Sequence, residues 1–202
     1  MRSLIRRFDA FLSRRYGVFT FTDEEDCLLR LQIAAASHSL LLPGQVVQPG
    51  DKVLKIHLWN EHVPIPSSSE GYGLVWAKEV QRMFLKSLQA VGRYMQGTSS
   101  LADTRAVGGE TILLFAGDRR SGERFMKRLG FKVLPYTHPL GRFGEFWENF
   151  YSWVLVWTYN PAGLHHRSLF HQRRSEFWIS AGDYLARYGQ KAVSLHQGNP
   201  PF

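Results

Sequence analysis

A chain of 202 residues, 44% hydrophobic and 21% charged, has the composition of one globular domain and enough apolar material for a core, which excludes disorder as the default state. Its 25 Lys and Arg against 17 Asp and Glu leave a net charge of +8, a field that favours phosphate, nucleic acid or anionic lipid and says nothing of fold. The single cysteine, Cys27, excludes an internal disulfide and a CxxC metal knuckle and suits a reducing compartment.

The N-terminal sequence MRSLIRRFDAFLSRR carries arginines throughout its apolar stretches, unlike a secretory signal. Within it Leu4, Ile5, Phe8, Phe11 and Leu12 form one helical stripe, with Arg2, Arg6, Arg7, Arg14 and Arg15 on the remainder. A basic amphipathic helix of this kind lies on an anionic membrane or docks its apolar face on its own domain. The expected organisation is this helix over residues 1–15, a domain over 16–189 and a frayed tail over 190–202.

Two strands are predicted next, Val18–Phe21 and Cys27–Ile33. In the second, Cys27, Leu29, Leu31 and Ile33 alternate inward while Arg30 and Gln32 face out. Ser39–Leu42 is a short strand ended by Pro43-Gly44, and Pro49-Gly50 makes a turn into the strand Lys52–Asn60. After a serine-rich loop, a long helix runs from Leu74 to Met95. Trp76, Val80, Met83, Phe84, Leu88, Val91 and Met95 are its buried stripe, and Lys78, Arg82, Lys86 and Arg93 a solvated ridge.

Arg105–Phe115 reads as a hairpin turning at Gly108-Gly109. Gly117–Gly122 is a loop entering a helix over Glu123–Leu129, which Gly130 caps in the left-handed conformation. Phe131–Leu134 is a strand, and Gly144–Tyr159 and Ser175–Tyr188 are helices. The fold class that follows is α+β, a mixed, largely antiparallel sheet covered by helices in a single domain. The aromatic uncharged run at residues 149–166 has an apolar centre of about ten residues, half what a membrane-crossing helix needs. A cytoplasmic protein is expected, with peripheral contact to the inner face of the membrane left open.

Four stretches are candidates for chemistry. KIHLWNEHVP, residues 55–64, ends an apolar strand with Trp59, Asn60, Glu61 and His62. If the strand alternation continues, Asn60 and His62 stand at the mouth of the core. The i, i+5 spacing of His57 and His62 excludes the helical zinc-protease pair, and no metal or other cofactor is assigned. The second stretch, PLGRFGEFWEN, residues 139–149, opens a helix that is apolar nearly all round and therefore expected to be buried. Glu145, Glu148, Asn149 and Ser152 make one polar seam on it, with Arg142 a turn before Glu145 as its natural partner. The seam faces a cleft, or its acids simply favour the positive end of the helix. In the third, Arg119, Arg120 and Gly122 sit in a basic, glycine-containing loop of a kind that holds phosphates. A histidine-rich basic link, residues 165–174, follows the aromatic helix as a solvated loop or a phosphate or metal contact.

HLWNEH (57–62), RLGFKVLPY (128–136), PLGRFGEFWENFYSW (139–153) and NPAGL (160–164), with YGVFTF (16–21) and CLLRLQ (27–32), resemble the YkoP-like family of bacterial proteins over about residues 5–188. The resemblance brings little mechanism. It implies a link to cell-envelope polysaccharide chemistry, because similar domains occur attached to polysaccharide deacetylases. The Asp/His metal motifs of those enzymes are absent here, so their activity does not transfer.

The reading is an accessory or binding domain that holds a sugar-like or anionic ligand, with an envelope-polysaccharide enzyme such as a polysaccharide deacetylase as a partner. Asn60, Trp59, Arg142, Glu145, Asn149 and Trp147 would contact the ligand. His62, Glu61 and Glu148 would move protons if a bond is broken. One alternative is an acyltransferase that uses Arg119, Arg120 and Gly122 for the phosphates of an acyl carrier. Another is an electrostatic binder of anionic membrane or, ranked last, nucleic acid.

Overall fold

The structure is a computed structural model that describes residues 2–65, 73–111, 119–136, 138, 141–159 and 174–190. The helices are α1 (Arg2–Arg15), α2 (Leu74–Gly97), α3 (Arg119–Arg128), α4 (Gly141–Tyr159) and α5 (Ala181–Tyr188). The strands are β1 (Val18–Phe19), β2 (Leu29–Ala35), β3 (Leu40–Leu42), β4 (Gln45–Val47), β5 (Lys52–Leu58), β6 (Ala106–Thr111), β7 (Lys132–Pro135) and β8 (Ser175–Ser180). Six strands form one sheet in the order β1-β2-β5-β6-β8-β7, and β3 pairs with β4 apart from it. Among the described strands only β5 and β6 pair in parallel, because α2 crosses between them. The fold is a single-domain α+β arrangement with a mixed, mostly antiparallel sheet.

One sheet face is apolar because the alternation of each strand puts its branched residues there. Leu29 and Leu31 from β2, Leu54 and Ile56 from β5, Val107 from β6, and Phe177 and Ile179 from β8 pack with Val80, Phe84, Leu88 and Val91 of α2. Tyr184 of α5 is fully buried in this layer, and its hydroxyl donates to the Leu88 carbonyl at 2.8 Å. The long helix has the predicted limits within two residues, and its buried stripe matches except that Trp76 is only half-buried. Its outward cations pair with the loop before β2, Lys86 with Asp26 and Arg93 with Glu24.

The opposite face divides in two. At one end Val53, Ala106 and Trp178 are covered by Leu40, Leu42 and Val47 of the β3–β4 hairpin, which Lys132 ties to the sheet edge through the Leu41 carbonyl. The other end carries Arg30, Gln32, Lys55, His57, Glu110 and Glu176, by the same alternation and register.

Four sequence expectations are corrected. Gly108 and Gly109 do not turn a hairpin. They lie inside β6, where a Cβ on Gly108 would strike the Phe177 carbonyl oxygen and stand 2.6 Å from the Trp178 ring. The glycines are there for close approach of strands, which a Gly-Gly pair signals as readily as a turn. Residues 175–180 are strand, not helix. SEFWIS is buried on both faces as an interior strand, and Ser180 then caps α5, its hydroxyl oxygen accepting from the Asp183 amide at 3.0 Å. Arg30 and Gln32 do not face bulk water, and Ile33 on the expected inner side is exposed near the sheet end. Finally, the turn at Pro43-Gly44 leads directly into β4, which the sequence reading left out.

The Gly130 cap stands as expected. Gly130 has φ +91°, and the Phe131 amide closes on the Met126 carbonyl at 3.0 Å. α3 starts at Arg119, four residues earlier than predicted. Arg119, Arg120 and Gly122 therefore belong to its first turn, with Gly122 buried, while residues 117–118 of the expected phosphate loop lie outside the described residues. α1 docks on its own domain, packing on α4 and β1, and the Tyr151 hydroxyl donates to Asp9 at 2.7 Å.

A charged band at the rim of the sheet

The register brings five chain segments to one rim. β5 and β6 end there, β7 ends there, and β2 and β8 begin there. The strand alternation stops at Leu58. Asn60–His62 is a short 3-10 turn, so Asn60 and His62 do not prolong the inner face of β5 as the strand reading required. α4 packs against this turn, which makes the HLWNEH and GEFWEN stretches neighbours.

Around the turn, the Glu61 carboxylate accepts from Trp59 Nε1 at 3.1 Å and lies 3.3 Å from Arg30 Nη2. The Arg30 guanidinium stands over the Trp59 ring, 4.6 Å from its centroid. Arg30 Nε is buried with no hydrogen-bond partner. His62 stacks on Trp59 with ring centroids 3.6 Å apart and donates through Nδ1 to the Cys27 carbonyl at 2.9 Å. A carbonyl only accepts, so the proton of this bond sits on Nδ1. Burial pushes the nearby Cys27 thiol up from its ordinary value, so it stays protonated.

Three residues of the α4 seam, Glu148, Asn149 and Ser152, converge on Arg174, whereas the Arg142 side chain expected beside Glu145 lies outside the described residues. Arg174 Nη2 donates to the Glu148 backbone carbonyl at 2.8 Å and to Ser152 Oγ at 2.6 Å. Its Nε donates to Asn149 Oδ1 at 3.3 Å and stands 3.3 Å from the Glu148 carboxylate. Tyr136 donates its hydroxyl to Glu148 at 3.0 Å, and His138 Nε2 lies 3.6 Å from it. Burial, then the Glu148 and Glu110 charges, push the Tyr136 phenol well up, so it is a neutral donor at every physiological pH. With α4 starting at Gly141, Glu148 lies beyond the first turn, where the helix dipole no longer explains an acid. Trp147 does not flank this cluster. It stands edge-on to Phe143 and Phe150 in a solvent-facing stripe. The side chains of Arg119, Arg120 and Arg142 and the link at 160–173 lie outside what is described.

Between these two clusters runs a band that sequence reasoning missed. Lys55 Nζ donates to Glu110 Oε1 at 2.6 Å, and His57 Nε2 donates to Gln32 Oε1 at 2.9 Å. Desolvation is the main force on His57, lowering it from 6.5 to about 4, so it is neutral. Glu110 raises the Tyr136 phenol and also acts on His57, which joins the three groups electrostatically. Glu176 is nearly fully buried beside them, accepting from Trp178 Nε1 at 2.8 Å with His38 Nε2 at 3.2 Å. Burial, above all, raises its carboxyl. The period-2 pattern of LRLQ and KVLKIHL did place Arg30, Gln32, Lys55 and His57 on one face. Nothing in it showed that the face meets a second layer.

Each charge in the band has an opposite partner: Arg30 with Glu61, Lys55 with Glu110, Arg174 with Glu148. All six side chains keep some solvent exposure, so the band is open to small solutes. Among the described residues, no group of three His, Cys, Asp or Glu could hold a metal ion.

Fold and band together define a single-domain α+β protein whose sheet has one apolar face and one face that turns from apolar to charged. The match to a known family agrees with this unit: the chain belongs to the YkoP domain family, which covers residues 3–188. Comparison with curated proteins finds no match, and comparison with solved structures finds none.

Proposed function

We propose that the chain is a binding domain of cell-envelope polysaccharide metabolism that takes a sugar-like ligand along the rim band. The observation that carries this reading is the self-neutralised, partly open line of donors and acceptors from Glu61 and Arg30 through Lys55 and Glu110 to Tyr136, Glu148 and Arg174. Sugar hydroxyls both donate and accept, so they match mixed, already paired groups. A strongly anionic ligand instead needs surplus cations, which the band lacks. At one end the Trp59 ring is held between His62 and the Arg30 guanidinium, so this end of the band recognises by hydrogen bonds and not by ring stacking. A polysaccharide deacetylase as functional partner fits the same reading.

The test is NMR titration of the labelled protein with N-acetylglucosamine oligomers and, separately, with an oligomeric sugar acid of equal length. Saturable shifts at the amides of Lys55, Glu110, Tyr136 and Glu148 with the neutral oligomer, weakened at least tenfold in Glu148→Gln, are expected. No saturable shift with either sugar, or shifts confined to other parts of the sheet, would remove the proposal. The acyltransferase reading rests on residues 117–122, and nothing among the described residues favours it.

A further inference from the structure

The helix α4 is inside out. Glu148, Asn149 and Ser152 turn inward to Arg174, while Phe143, Phe146, Trp147 and Phe150 face solvent at i, i+3, i+4 and i+7. Phe143 is 67% exposed, Trp147 52% and Phe150 39%. A sequence rich in aromatics that puts acids inside and rings outside has reversed the usual arrangement of a surface helix. Beside it, α1 packs on α4 and exposes Arg7, Phe11, Arg14 and Arg15, at i, i+4, i+7 and i+8 on one face.

We propose that the outer faces of α1 and α4 form a docking surface for an anionic lipid bilayer. Rings such as Trp and Phe partition to the headgroup level of a bilayer, and arginines beside them meet lipid phosphates. The net charge of +8 adds long-range attraction to such a surface. It also argues against a second copy of the chain as the occupant, since a homodimer through this face would press two arginine-bearing α1 helices and two positive chains together. No described helix is long and apolar enough to cross a membrane, so the contact is peripheral. The inference is independent of the sugar-binding proposal, because the rings lie on the side of α4 away from the band.

The experiment is co-sedimentation of the full chain with vesicles of pure phosphatidylcholine and with vesicles containing phosphatidylglycerol. Binding at least tenfold stronger to the anionic vesicles, weakened by salt, is expected. The variant Phe143→Ser/Trp147→Ser/Phe150→Ser should lose at least tenfold in affinity, and Arg7→Glu/Arg15→Glu should lose the preference for anionic lipid. Both sets are exposed, and an unchanged thermal midpoint confirms that each variant folds. Equal binding to both vesicle types, wild-type binding by the triple Ser variant, or no vesicle binding at all overturns the proposal. So does micromolar self-association in sedimentation velocity that the triple Ser variant abolishes, which would make a second copy the occupant.

Discussion

Arg174 grips Glu148 twice, by its backbone carbonyl at 2.8 Å and by its carboxylate at 3.3 Å. One side chain thus joins the start of β8 to the middle of α4 and, together with Tyr136 on Glu148 and Tyr151 on Asp9, holds the polar side of that helix toward the protein. The aromatic stripe is turned outward as a consequence. Removing Arg174 leaves a mostly covered carboxylate without its cation, and charges stranded in that way cost about 3 kcal/mol. Arg174→Ala should lower the stability measured by urea unfolding by roughly that amount. Adding Glu148→Gln to it should restore part of the loss, because the stranded charge is then gone. Additive losses would show that the pair does not act as a unit.

His57 makes the fold sensitive to mild acid. Its pKa falls from 6.5 to about 4 on folding, so between those values the unfolded chain binds more protons than the native one. Stability conferred by keeping the ring neutral is complete above pH 6.5 and is lost as pH falls toward 4, to a total of about 3 kcal/mol. Glu176 acts in the opposite sense. Its raised carboxyl favours the native state in acid and loses that advantage as pH rises through its folded value. Urea unfolding at pH 7 and pH 4.5 should therefore show a smaller acid loss in His57→Gln than in the wild type. An identical loss in both would assign the acid sensitivity elsewhere.

Gly108 and Gly182 should respond oppositely to alanine. A Cβ at Gly108 collides with the Phe177 carbonyl and the Trp178 ring inside the sheet, so Gly108→Ala should cost at least about 3 kcal/mol or prevent soluble expression. Gly182 lies in the first turn of α5 with nothing within 4 Å of a new Cβ. Gly182→Ala should be neutral or stabilise by up to about 1 kcal/mol. Thermal unfolding of the two variants decides this.

Ser180 closes β8 and opens α5. Its oxygen accepts from the Asp183 amide at 3.0 Å, and its hydroxyl donates to the Asp183 carboxylate at 2.6 Å. Ser180→Ala should cost about 1–2 kcal/mol and speed hydrogen exchange at the amides of α5 first. Ser180→Asp, which keeps an accepting oxygen, should recover less than half of this, because two carboxylates then face each other.

By itself the sequence determined the class of fold, the long buried helix α2, the alternation of β2 and β5, the Gly130 stop and the polar seam of α4. Each is a local pattern: period 3.6 or period 2, a left-handed glycine, polar residues at i, i+3, i+4 and i+7. Only the tertiary structure decided what those patterns face. Arg30, Gln32, Lys55 and His57 look like a solvent face until a second layer and a rim are placed against them. Arg174 reaches Glu148 across 26 residues of chain, a pairing that no short-range spacing encodes. Gly108-Gly109 and SEFWIS were misread for the same reason, since a turn and a close strand crossing use the same residue, and a strand buried on both faces has no alternation to show. Side-chain periodicity fixes which residues share a face, whereas burial depends on which other elements come to cover it.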